Sequence, residues 1–99
     1  MDIKKTVDGN AVMLALSGRL ETMTAPQLDA EVQSLPEGVT ELLMEISSLE
    51  YVSSAGLRVF LVAHKKMKSR GGAMKISGAN ASVKKVFDIT GFSPILNFV

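Results

Sequence analysis

The chain has 99 residues, 46% of them apolar and 21% charged, with a formal net charge of +1 and no cysteine. That length suits one small domain with a single core, and the balance is that of a globular chain and not a disordered one. The near-neutral charge gives no global pull toward nucleic acid or an anionic membrane, the absence of thiols excludes disulfides and thiolate metal sites, and no run approaches the ~18 apolar residues of a membrane span.

Ile3 to Val7 reads as a first strand, with Asp8-Gly9-Asn10 as its turn. In Ala11 to Ser17 the larger residues Val12, Leu14 and Leu16 alternate, which is strand periodicity. Ser17-Gly18 is expected to end that strand and Arg19 to Met23 to form a loop. Thr24 followed by Gln27 has the spacing of a capping box, and Pro26 is tolerated in a first helical turn. Ala25, Leu28, Val32 and Leu35 recur at helical spacing until Pro36-Glu37-Gly38 stops the helix.

Glu41 to Ile46 is nearly continuously apolar, as expected of a central strand, with Glu45 placed near its exposed C-terminal end. A long helix is expected from Ser54 to about Arg70, with Leu57, Phe60, Leu61 and Met67 on its inner face and Val59, Val62 and Ala63 widening it. Gly71-Gly72 ends it. Ala73 to Ser77 is a further short strand, and Ser82 to Thr90 a last helix that buries Val83, Val86, Phe87 and Ile89 before Gly91 and Pro94. Helices joining the later strands imply a partly parallel sheet. The expected fold is therefore one α/β domain over residues 1–99: a mixed sheet of about four strands packed against three to four helices.

The segment Tyr51-Val52-Ser53-Ser54-Ala55-Gly56-Leu57-Arg58 carries the chemistry. An apolar strand gives way to two hydroxyls at the start of an apolar helix. Such serines can accept hydrogen bonds from the free N–H groups of the first turn, and the helix dipole there favours negative charge. A phosphate on one of them would be tolerated by the fold and felt by any protein docked over it. Gly56 fits either a loose helix start or a bare backbone that a partner approaches closely. Arg58, one turn beyond Ser54, can meet a phosphate, meet a partner carboxylate, or lie solvated.

Other candidates read more plainly. His64, the only histidine, has no second ligand-type residue at metal spacing, so a packed or half-exposed histidine is expected and no metal site. Lys65, Lys66, Lys68 and Arg70 suit the negative end of a helix dipole, and aromatics for stacking bases are few, so no direct nucleic-acid contact is expected. Glu21 and Glu45 have no nucleophile–base arrangement beside them, so neither a catalytic residue nor enzyme activity is expected. Met1 to Lys5 is not followed by the apolar run of a signal peptide, and a cytoplasmic location without membrane insertion is expected.

The run Val52-Ser53-Ser54-Ala55-Gly56-Leu57-Arg58 after an apolar strand resembles the signature of the STAS domain, the fold of bacterial anti-sigma factor antagonists. Leu16-Ser17-Gly18-Arg19-Leu20-Glu21-Thr22 and Val86-Phe87-Asp88-Ile89-Thr90-Gly91-Phe92 match it in order, so the likeness spans essentially the whole chain. The resemblance implies a binding module that sequesters an anti-sigma factor which is also a serine kinase, thereby releasing a sigma factor. It implies that this kinase phosphorylates a serine at the start of the second helix, and that a metal-dependent serine phosphatase reverses the step. Aligned on Gly56, that serine is Ser54, with Ser53 the alternative. Glu21 and Glu45 fall where the family usually carries aspartate, and the common Asp-Ser-Ser-Gly is here Ser53-Ser54-Ala55-Gly56. The partner surface it implies comprises Glu21, Thr22, Ser53, Ser54, Gly56 and Arg58. No cofactor is implied. The oligomeric state stays open, with a monomer favoured. The alternatives are a STAS subunit of a membrane transport complex and a phosphosignalling adaptor outside sigma control.

Overall fold

A computed structural model describes residues 1–99. The chain forms β1 (Asp2–Asp8), β2 (Ala11–Leu20), α1 (Ala25–Gln33), β3 (Glu41–Val52), α2 (Ser54–Ser69), β4 (Ala73–Ser77), α3 (Ala81–Ile89) and β5 (Asn97–Phe98). The five strands form one sheet in the order β1-β2-β3-β4-β5. The first pair is antiparallel and is closed by the tight turn at Gly9, whose φ is +61°. All later pairs are parallel.

Three differences from the sequence reading have local causes. β2 runs three residues further than expected, to Leu20, and β3 six further, to Val52. The register between them shifts between Ala15 and Ser17 and again between Gly18 and Arg19. These irregularities put Ile46, Leu49 and Val52 inside at a spacing of three, with Ser47, Ser48 and Glu50 exposed between them. Strict alternation is lost there, and with it the usual mark of a strand. β5 has only two residues and follows a proline, too short to show any period. Its Phe98 stacks edge-on against Phe87, 5.1 Å between centroids, and that contact seats it.

Twenty-four buried apolar residues form one core between the sheet and the helices. Phe60 of α2 and Phe87 of α3 meet edge-to-face at 5.5 Å, joining the two helices over β3 and β4. α3 begins one residue before the expected start. Asn80 caps it by accepting from the Val83 amide at 2.9 Å, while its own Nδ2 donates to the Leu49 carbonyl. Ile89, expected inside, is 74% exposed on the last turn.

The basic end of α2 also has a structural task. Arg70 donates from Nη1 to the carbonyls of Pro36 and Val39 (2.8 and 2.9 Å) and from Nη2 to Leu35, clamping the α1–β3 loop. His64 is buried, as one of the two readings held. Burial, aided by the nearby Lys68 charge, pushes its imidazole below the ordinary value of 6.5. The unfolded chain therefore binds this proton first. Stability is expected to be level above that value and to fall as pH drops through and below it, because acid favours the state that can charge the ring. Urea midpoints from neutral to mildly acidic pH should show this slope, and His64→Gln should flatten it.

Candidate functional site

α1, α2 and α3 start beyond the C-terminal ends of β2, β3 and β4 respectively, so their three N-termini lie along one edge of the sheet. In open α/β sheets that edge is where ligands and partners bind. The site is built on it.

The loop leading into α1 is closed by Thr24. Its hydroxyl donates to the Arg19 carbonyl at 2.8 Å and accepts from the Glu21 amide at 2.9 Å. The expected capping box is therefore not formed. Thr24 has a helical backbone (φ −104°, ψ −19°) and spends its side chain on the loop instead. Beside it, the Glu21 carboxylate accepts from Arg19 Nε at 3.2 Å, and the Arg19 guanidinium lies 4.4 Å over the Tyr51 ring. Glu21 is thus held in a small surface cluster that bridges the ends of β2 and β3. Thr22 and Met23 project from the loop, Met23 with 83% of its surface exposed.

The two serines are sharply distinguished. Ser53 is the N-cap residue of α2, with extended backbone (φ −100°, ψ 176°). Its amide donates to the Leu20 carbonyl at 2.9 Å and its carbonyl accepts from Leu57, tying the helix start to the end of β2. Its hydroxyl makes no capping bond. The expectation of a side-chain cap fails here, because Oγ is turned away from water and has no partner. Ser54, the first helical residue, is exposed. The hydroxyl that solvent can reach is that of Ser54.

Gly56 is buried, and the packing of the chain gives its bareness a structural reason. A Cβ placed there would lie 2.6 Å from Leu20 Cγ, 2.8 Å from Leu20 Cδ2 and 3.1 Å from Val52 Cγ2. Its bareness lets α2 pack onto the ends of β2 and β3, so Gly56 supports the helix start from beneath. Gly56→Ala would gain about 1 kcal/mol of helix propensity and lose about 3 kcal/mol to overpacking against Leu20. We expect a net loss of about 2 kcal/mol in urea unfolding, with the serine segment displaced.

Arg58 is exposed and lines an open groove of about 410 Å³ between α1 and α2, with Thr22, Ala25, Ala55, Val59 and Val62. This groove joins Thr22 and Arg58, both members of the partner surface that the resemblance implies, and reaches Ala55, the residue after Ser54. The sequence reading missed the groove and Met23. A methionine in an otherwise polar loop was the available signal. Glu45 belongs elsewhere. It stands mid-strand in β3, not at a strand end, and its carboxylate folds back to accept from the Ser47 amide at 2.9 Å. Among ionisable side chains, no group of three His, Cys, Asp or Glu residues is placed to hold a metal ion, and no helix is long and apolar enough to cross a membrane.

A mixed sheet with its helices on one face makes this a compact α/β module, with an exposed serine at the first position of its longest helix. The chain belongs to the STAS domain family, whose profile matches residues 2–99. It is 28% identical over 97 residues to the anti-sigma-B factor antagonist of Bacillus subtilis, covering 98% of this chain and 87% of that protein. It is 32% identical over 90 residues to BtrV of Bordetella bronchiseptica, also named as an anti-sigma factor antagonist, covering 90% and 77% respectively. Among solved structures, unphosphorylated SpoIIAA superposes with a TM-score of 0.83 at 19% identity, over 99% of this chain and 88% of that one. The phosphorylated form of SpoIIAA gives 0.77, also at 19% identity, over 99% and 91%. These two likenesses establish the shared fold.

Proposed function

We propose that this chain is an anti-sigma factor antagonist whose binding is switched off by phosphorylation of Ser54. It acts in the cytoplasm as a binding protein and not as an enzyme. It sequesters an anti-sigma factor that doubles as its serine kinase, frees a sigma factor, and is restored by a metal-dependent serine phosphatase. The reading rests on family membership together with one observation: of the two adjacent serines, only Ser54 offers its hydroxyl to solvent at the helix start.

The physical logic is local. At the first helical position a phosphate meets unpaired backbone N–H groups and the positive end of the helix dipole, so the fold accepts it. It adds about −1.5 to −2 charge at the border of an apolar groove, and a partner seated there would have to desolvate it. The partner surface in this reading comprises Thr22, Met23, the α1–α2 groove, Ser54 and Arg58, with Glu21 at its rim. Ser53 positions the segment through its backbone.

The test is reconstitution with the kinase-type anti-sigma factor encoded in the same genome. Unphosphorylated chain should form a stable complex by size-exclusion chromatography. Chain phosphorylated with that kinase and ATP should elute free, and phosphatase treatment should restore the complex. Equal binding by both forms would reject the switch.

A further inference from the structure

All three helices lie on one face of the sheet. Along β2, Val12, Leu14 and Leu16 are buried while Ala11, Met13 and Ala15 are partly exposed; along β3, Leu42 and Met44 are buried while Glu41 and Leu43 are not fully so. The opposite face of the sheet is therefore open, although parallel strands are almost always covered on both faces. The register sorts its residues into rows. One row reads Thr6, Met13, Leu43, Lys75 and the next Asp8, Ala11, Glu41, Ala73. The first row has two large apolar side chains at its centre, and its residues form a ridge that walls one side of the hollow over the second row. The second has Ala11 at its centre, within a shallow depression of about 430 Å³ whose lining includes Glu41 and Lys75. Neither of those two charges pairs with another side chain of the chain.

We propose that a second copy of this chain covers the open face, related by a two-fold axis that lies between the two sheets and runs across the strands. Such an axis reverses strand direction and leaves each strand opposite its own counterpart. Centred between the two rows, it lays the ridge of each copy over the hollow of the other, so that Met13 enters the Ala11 depression twice. The same operation sets Glu41 opposite Leu43 of the second copy, one strand away from the second copy's Lys75. Each copy thereby gains an ion pair that it lacks alone. A face of mixed sign that complements itself in this way suits a like partner better than nucleic acid or an anionic membrane. These rows lie at the N-terminal ends of the parallel strands, so the edge that carries Ser54 stays free.

The overlap of four strands is small, so the dimer belongs at the low end of specific interfaces, burying about 1,000 Å² in total and forming reversibly. This departs from the monomer that the sequence favours. Sedimentation equilibrium of the full chain from micromolar to millimolar concentration tests it. A monomer–dimer equilibrium is expected, weakened at least about tenfold by Met13→Glu, whose circular dichroism should be unchanged. Glu41→Lys should weaken it as well, and adding Lys75→Glu should restore it, which keeps the test intact if Met13→Glu fails to fold. A chain that stays monomeric throughout, a dimer unmoved by Met13→Glu, or a charge swap that does not rescue would each overturn the proposal. None of these outcomes bears on phosphorylation of Ser54.

Discussion

A Ser54→Asp chain is expected to bind its anti-sigma partner about a hundredfold more weakly than a Ser54→Ala chain, a difference of about 2.8 kcal/mol. Ser54 is exposed on the helix start, next in the chain to Ala55 of the α1–α2 groove, which puts its side chain at the edge of the proposed partner surface. Removing the hydroxyl takes away little, whereas a carboxylate must be stripped of water or held apart from the partner. The same carboxylate sits at the positive end of α2, where it should stabilise the free protein by a few tenths of a kcal/mol up to about 1. Thermal midpoints and isothermal titration therefore separate the effects: Ser54→Asp should melt no lower than wild type and yet bind poorly. If the two variants bind alike, the groove edge is not the interface.

The second large effect concerns the frame that holds the site. Gly72→Ala is expected to cost about 3 kcal/mol or more, a large fraction of the 5–15 kcal/mol that stabilises a domain. A Cβ at Gly72 would stand 1.8 Å from the Thr40 carbonyl oxygen and 2.6 Å from its carbon. Both are backbone atoms, and the same carbonyl accepts from the Ala73 amide at 3.0 Å where β4 begins beside β3. The strand cannot yield without losing that bond. Gly71 next to it has a φ of +76° but open space around it, so Gly71→Ala should cost only about 1 kcal/mol. Urea midpoints of the two variants should differ accordingly, and near-equal midpoints would contradict the close-approach account.

How much of this was legible in the sequence follows from where periodicity is regular. The first part of β2, α1 and α2 each show a clean period, and their inner faces match the reading, save that Leu61 is half-buried and Val62 exposed in α2, whereas β1 is placed by its turn and buries no residue fully. The extensions of β2 and β3 were hidden because a shifted register replaces alternation with a spacing of three. The two residues of β5 carry no pattern at all, and tertiary contacts explain them: pairing with β4, the Asn97 bond to the Met74 carbonyl and the Phe87–Phe98 contact. At the site, sequence order alone placed two hydroxyls at a helix start. The N-cap preference fits both equally well, and the choice of Ser54 rests on the resemblance, aligned at Gly56. Tertiary packing adds a physical difference between them, because it turns the Ser53 hydroxyl inward and leaves Ser54 outside. Thr24 is a similar case: its spacing to Gln27 suits a capping box, but the loop from Arg19 offers it better partners. The bare backbone of Gly56 was noticed and its reason was not, because Leu20 lies far from it in the chain and beneath it in space.

The most direct measurement of the central claim is phosphosite mapping by mass spectrometry after incubation of the chain with its kinase and ATP. One phosphate on Ser54, absent from Ser54→Ala and retained in Ser53→Ala, is the result predicted here. A phosphate found on Ser53, or a label that persists in Ser54→Ala, would contradict it.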